Sequence, residues 1–267
     1  MRTPMTNALL AVALLALPGL AGASGVSLEY EVRYGPLTLI EARSTTRFDG
    51  DSYESSNEMH TVGVIGLLFP WTAESHTSGA TQGAAFTPSR HWSHGQFRGV
   101  DRRVAIDYAP DGAVRARVDP DADADARDTV PIEQQQSTID PLTAGLVMAA
   151  SNCAGTLHIF DGRRRYDMLL GDQGEAAVPS GGGIYHGMAR HCRATIIPFA
   201  GFARRDTQED ERPTQLDSWT AVPRPGLVPV PVYLELRAPR GTLGIPLTAA
   251  RSLDAPADSS QTPPSSE

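Results

Sequence analysis

The sequence predicts a mainly β protein, built on one antiparallel sheet with one or two short helices. Apolar and polar residues alternate with a period of two in segment after segment. Asp-Gly turn signals recur between those segments, and one stretch alone carries a clear helix start.

Residues 1–23 precede this pattern. Arg2 gives a short basic start, residues 8–17 are apolar, and Pro18-Gly19 break the run. Ala21-Gly22-Ala23 then supplies the small-x-small pattern that signal peptidase accepts. The apolar run is about ten residues, too short to span a bilayer as a helix. The segment therefore reads as a signal peptide cleaved near Ala23. Leu20-Ala21-Gly22 would suit lipoprotein processing, but that chemistry needs a Cys where Ala23 stands. The mature chain is expected in the periplasm or secreted, without a lipid anchor or a transmembrane segment.

The first strand is expected over 26–34, where Val26, Leu28, Tyr30, Val32 and Tyr34 alternate with polar residues. Gly35-Pro36 turns the chain into a second strand over 37–48, with Ile40, Ala42 and Phe48 on one face. Asp49-Gly50 is a hairpin signal, and 52–60 returns. Further strands are read at 72–78, 86–93, 103–108 and, after Asp111-Gly112, 113–118. Residues 156–160 and 165–170 flank the Asp161-Gly162 hairpin, and 184–199 is long enough for one bent strand. Residues 218–222, 228–236 and 242–248 complete the set. Pro229 and Pro231 cannot donate to a ladder, which places the 228–236 strand at an edge.

Two segments break the β pattern. Residues 61–69 (TVGVIGLLF) are apolar and Gly-interrupted, ending at Pro70-Trp71, and read as a short helix or an apolar loop. Asp140-Pro141 is a helix start, with Asp as N-cap and Pro at the first helical position; 142–150 follows with good helix formers. The expected organisation is a signal peptide at 1–23, one β-rich domain at 24–250 and a disordered Pro/Ser/Asp-rich tail at 251–267.

Composition excludes several classes. The formal net charge is −8, which disfavours nucleic acid. All 23 basic residues are Arg. Without lysine there is no Schiff base, no Ser-Lys dyad and no phosphate-loop lysine. The two cysteines, Cys153 and Cys192, read as a disulfide in an oxidising compartment.

Catalytic and metal motifs do not assemble. Asp119, Asp121, Asp123 and Asp125 alternate with small residues, but a calcium loop starting at Asp121 would have Ala126 at its glycine position and Ile132 at its glutamate position. His91 and His94, three apart in a strand, point to opposite faces, as do His186 and His191, five apart. No metal and no cofactor are expected. There is no Gly-x-Ser-x-Gly elbow, and Gly181-Gly182-Gly183 reads as a flexible linker. Arg163-Arg164-Arg165 follows a hairpin turn and is a candidate anionic-headgroup site. Val62, Val64, Ile65, Leu67, Leu68, Phe69 and Trp71 form either a core plug under the sheet or a lid over an apolar cavity.

Several stretches together carry a family likeness. They are Tyr30-Glu31-Val32-Arg33-Tyr34-Gly35 with Leu37-Thr38-Leu39 and Glu41-Ala42, and Gly66-Leu67-Leu68-Phe69-Pro70-Trp71 with Glu74-Ser75. Gln134-Gln135-Gln136 with Asp140-Pro141-Leu142, and Gly155-Thr156-Leu157 with the run from Phe160 to Asp167, complete the set. The chain up to about Phe202 resembles the bacterial exported family known as domain of unknown function 3108. That resemblance implies an architecture similar to the lipoprotein-carrier half-barrel and carries over no catalytic residues.

The expected fold is therefore mainly β: a single antiparallel curved sheet or half-barrel enclosing one or two short helices. The expected function is a non-enzymatic periplasmic protein that binds or carries a lipid-like or other amphipathic envelope ligand on a concave apolar face. Tyr30, Val32, Ile40, Leu67, Leu68, Phe69 and Trp71 would line that site, and Arg163, Arg164 and Arg165 would hold a headgroup. The alternatives are an envelope assembly factor that docks a partner protein, and an envelope hydrolase using a carboxylate pair.

Overall fold

A computed structural model describes residues 24–253, except 98, 122–127, 203–212 and 240. The expected signal peptide, most of the acidic run at 119–128 and the tail from 254 onward lie outside the described residues.

The first meander comprises β1 (Ser24–Tyr34), β2 (Leu37–Asp49), β3 (Ser52–Thr61), β4 (Trp71–Gln82), β5 (Ala85–Phe97), β6 (Val100–Tyr108) and β7 (Val114–Asp119). The second comprises β8 (Ala154–Phe160), β9 (Arg165–Ala177), β10 (Met188–Ala200), β11 (Gln215–Ala221), β12 (Val230–Ala238) and β13 (Gly241–Ser252). Helix α1 (Gly63–Leu68) joins β3 to β4, while α2 (Ile132–Gln135) and α3 (Pro141–Ala150) lie between the meanders. All thirteen strands form one antiparallel sheet, ordered β7-β6-β5-β4-β3-β2-β1-β13-β12-β11-β10-β9-β8. The chain's first and last strands pair at its centre, with Val26 opposite Ser252. The sheet's two edges, β7 and β8, are therefore consecutive in sequence.

These edges do not pair with each other, but the sheet curls until intervening chain bridges them. Ile139 forms a parallel bridge with Ile159 of β8, and the Gln136 side chain accepts a bond from the free Val114 N–H of β7. Val104, Ile106 and Val114 pack with Val130 and with Phe160 at the end of β8. Gly162, in the β8–β9 turn at φ +88°, lies so close to Val104 that an added Cβ would sit 2.2 Å from its Cγ1. The chain's own connection thus covers the Phe160 end of β8 and the Val114 end of β7, which blunts strand addition there.

Helix α3 fills the inside of the curl. It is apolar nearly all round, yet only Thr143, Ala144 and Met148 are buried. Ala144 and Met148 pack on Ile159, Met168, Leu170, Cys192 and Ala194 from β8–β10. Cys153, just beyond the helix, is disulfide-bonded to Cys192 of β10, with Cα atoms 5.6 Å apart.

Three expectations need correction. The strand holding Pro231 is internal, flanked by β11 and β13. Pro231 sits at a bulge opposite Thr220, and β13 pairs with β12 only from Tyr233 onward, so its missing N–H removes no ladder bond; Pro229 precedes the strand. The glycines at 181–183 are not a loose linker. Arg33 donates to the Gly181 carbonyl, Ile184 N–H donates to Leu247 O at 2.8 Å, and a Cβ on Gly182 would collide with the Arg33 guanidinium. Finally, β13 runs to Ser252, so Arg251 and Ser252 belong to the sheet rather than to a tail.

The disulfide closes a loop between residues 39 apart, which on chain entropy is worth about 4 kcal/mol. The Cys153→Ala/Cys192→Ala variant is expected to lose about that much unfolding free energy in urea titration. A loss under about 1 kcal/mol would mean that packing alone holds the end of α3.

Candidate functional site

The uninterrupted β2–β3 and β3–β4 registers, and the β4–β5 register as far as Ser78, place directly opposed residues on one face. The face turned to α3 is identified by its contacts with the helix and reads as successive rows. Thr46, Ser55, Thr77 and His91 form the row beneath α3 and are all buried. The Thr46 and Ser55 hydroxyls lie 3.0 Å apart. Thr77 Oγ1 donates to Asp140 Oδ2 at 3.0 Å, and Thr143 Oγ1 donates to the same oxygen at 2.6 Å. Asp140 Oδ1 accepts from the backbone N–H groups of Leu142 and Thr143, both at 3.0 Å. His91 Nδ1 lies 3.2 Å from Oδ1, a close polar contact rather than an aligned hydrogen bond. Tyr53 OH reaches Thr143 Oγ1 at 2.8 Å. Burial pushes the Asp140 carboxyl up, but His91 and Thr143 outweigh it and hold the group below the usual carboxylate range.

The next row, Ser44, Asn57, Ser75 and Ser93, is half-buried. None of these four side chains has a hydrogen-bond partner among the described residues. Beyond them come Ala42, Met59, Ala73 and Gly95, and then Ile40, with Trp71 opposite Phe97 at the end of the strands. The same face in the second meander is apolar. Leu234 stands opposite Ile245, Leu236 opposite both Leu243 and Leu216, and Ile196 opposite Met168. Apart from buried Met168, these residues are half-buried: Ile196, Leu216 and Leu234 pack against the core beneath α3, and Ile245 packs against the cluster around Leu247. The face thus has one wall of aliphatic side chains and one of small polar ones.

The predicted site residues divide into three groups. Val32 and Ile40 are direct partners on this face, and Trp71 reaches its end. Tyr30 is core: its OH donates to Pro231 O at 2.8 Å, and burial raises its phenol pKa. Leu67, Leu68 and Phe69 do not plug the sheet, since Val64, Leu67 and Leu68 on α1 are 67%, 81% and 59% exposed. The arginine triplet does not converge. Arg163 donates to Asp119 O at 2.8 Å, Arg164 pairs with Asp161 at 2.7 Å, and buried Arg165 pairs with Asp167 and lies over the Phe199 ring at 5.2 Å. The aliphatic wall, Ile196, Leu216, Leu234 and Ile245, went unremarked in the sequence. Its alternation was visible, but which side faced α3 was not.

A second polar cluster lies on the opposite face. Buried Asp217 accepts from His191 Nε2 at 2.7 Å, from Arg193 Nε at 2.9 Å and from Gln215 Nε2. Burial pushes its carboxyl up, and these partners bring it below the usual range. His191 stacks on Trp219 with ring centroids 4.3 Å apart. The cluster ties β10 to β11. Among the described residues, no group of three or more His, Cys, Asp or Glu is placed to hold a metal ion.

A protein-family model described as "Protein of unknown function (DUF3108)" matches residues 29–209. The chain belongs to this DUF3108 family. No curated protein matches this DUF3108 chain. A solved structure described as a β-barrel-like protein of domain of unknown function DUF1849 from Brucella abortus is similar in fold, with TM-score 0.51 and 9% identity, over 88% of this chain and 99% of that one. A putative outer membrane lipoprotein-sorting protein domain from Vibrio parahaemolyticus aligns over 90% of this chain and 89% of that one, at TM-score 0.27 and 7% identity.

Asp140→Ala removes a helix cap and strips partners from Thr77, Thr143 and His91. It is expected to cost about 3 kcal/mol in urea unfolding near neutral pH. Because Asp140 and Asp217 have depressed folded-state pKa values, their stabilisation is full above the unfolded-state value of about 4 and is lost as pH falls below it. The unfolding free energy of the wild type should drop below that pH, and the Asp140→Ala variant should lose part of the slope. Equal slopes would show that Asp140 does not titrate differently on folding.

Proposed function

We propose that this protein is an exported, non-enzymatic binder or carrier of a lipid-like, amphipathic envelope ligand, held on the α3-facing side of the sheet near α1. The supporting observation is the half-buried aliphatic wall of Leu216, Leu234, Leu236, Ile245 and Val32, continuing into Ile40 and Trp71. Leu216, Leu234 and Ile245 pack on the core with one part of the side chain and keep apolar surface outside it with the other, and an apolar lining with a few polar groups is the composition of small-molecule sites. Six methylenes of an acyl chain laid there would contribute about 5 kcal/mol before association costs. The polar part of the ligand would meet Ser44, Asn57, Ser75 and Ser93, since Arg163, Arg164 and Arg165 are engaged with the fold. The Cys153–Cys192 disulfide and the signal-like first residues support an oxidising compartment.

The second reading is an envelope assembly factor, favoured by the exposure of Leu67 and Val64 on α1. A carboxylate-pair hydrolase gains nothing from the buried acids, because Asp140 and Asp217 lie on opposite faces of the sheet.

The test is native mass spectrometry with lipid extraction on protein purified from the periplasm. A co-purifying amphiphile is expected, lost in Leu68→Asp or Trp71→Ala. A clean apo mass, with no uptake from a membrane extract, overturns the carrier reading and leaves the docking one.

A further inference from the structure

We infer that the loops at the α1 end of β1–β6 form a tip that docks on the surface of a lipid bilayer. Three successive connections lie there: 34–40 between β1 and β2, 61–73 carrying α1, and that between β5 and β6, described at 95–97 and 99–100. Each presents exposed large apolar side chains: Tyr34 and Leu37, Val64 and Leu67, Phe97 and Val100. None of the three contains Asp or Glu, in a chain with 31 acidic residues. The loops at the other end of the same strands differ. Asp49 and Asp51 sit in the β2–β3 turn and Asp111 in the β6–β7 turn.

This distribution points to lipid rather than to a protein partner. A leaflet with anionic lipid repels carboxylates and accepts apolar side chains, and these three loops satisfy both conditions, whereas two of the three turns at the opposite end carry carboxylates. The apolar groups also stand on three separate loop ends rather than in one groove. A bilayer needs no shape complementarity, and Tyr34 and Trp71 are the residue types that settle at its interface. On the β8–β9 side, the turn at this end carries Asp161 and Arg164, which confines the tip to the β1–β6 side. The inference rests on the lipid-like ligand reading only for its purpose, which is to bring the open face to the leaflet that holds the ligand.

The test is flotation of the purified protein with vesicles of phosphatidylethanolamine and phosphatidylglycerol. The variants are Val64→Asp on α1 and Pro36→Asp at the tip of the β1–β2 turn, neither of which lies on a strand of the proposed ligand face. Binding is expected, weakened about tenfold or more by each substitution, while circular dichroism, the urea midpoint and any co-purified amphiphile stay unchanged. Failure to float, or flotation indifferent to both substitutions, overturns the docking surface even if a ligand co-purifies. Flotation that responds to both variants supports docking even if the protein is empty, a result that would count against the carrier reading alone. A dimer in solution that Leu67→Asp dissociates, with no vesicle binding, would assign the tip to a second copy and also overturn the inference.

Discussion

The structure turns on one buried carboxylate. Asp140 caps α3 through two backbone N–H groups and at the same time accepts from Thr77 of β4. A single side chain therefore starts the helix and fastens it to the first meander. Capping alone would leave the helix free to pack anywhere apolar, because α3 has no pronounced polar side to orient it. The requirement that a buried charge be surrounded by donors fixes its N-terminus against β4 and β5. At the other end, the disulfide fastens the chain to β10. With both ends held on different meanders, the sheet has to curl around the helix.

The curl produces the two-walled face. Apolar residues of β8–β12 meet the aliphatic side of α3 and make the core that pulls the sheet inward. The β2–β5 side contributes Thr46, Ser55, Thr77 and His91, a polar row that is affordable only because α3 brings partners to it. One row further on, the helix no longer reaches, and Ser44, Asn57, Ser75 and Ser93 are left half-buried, without hydrogen-bond partners among the described residues. The candidate site is thus the part of the concave face that the helix does not cover.

Much of this was legible in the sequence. Each of the thirteen strands overlaps a segment read as strand, although β9 runs on to Ala177 and β10 starts only at Met188, and the turns at Asp49-Gly50, Asp111-Gly112 and Asp161-Gly162 fall where the glycines place them. Asp140-Pro141 marked the start of α3 to the residue. The failures have physical causes. Pro231 looked like an edge marker because a ladder usually needs its N–H, but a bulge removed the need. The four-residue α2 is too short to leave a periodic signal. Gly181-Gly182-Gly183 looked loose, whereas the missing Cβ atoms let Arg33 and β13 approach.

The sequence by itself determined the strand set, the turn positions, the cap of α3, the pairing candidates Cys153 and Cys192, and the membership signalled by its scattered motifs. These are local properties, set by backbone preference and by the period of the side chains. Tertiary structure alone decided that β1 pairs with β13, that β7 and β8 end as neighbouring edges, and that Val32 and Ile40 share a face with Leu234 and Ile245 while Tyr30 is sealed. It also decided that α1 stands exposed. Periodicity says which residues lie on the same side of a strand, not what that side will meet. Only the closure of the chain around Asp140 and α3 settles that.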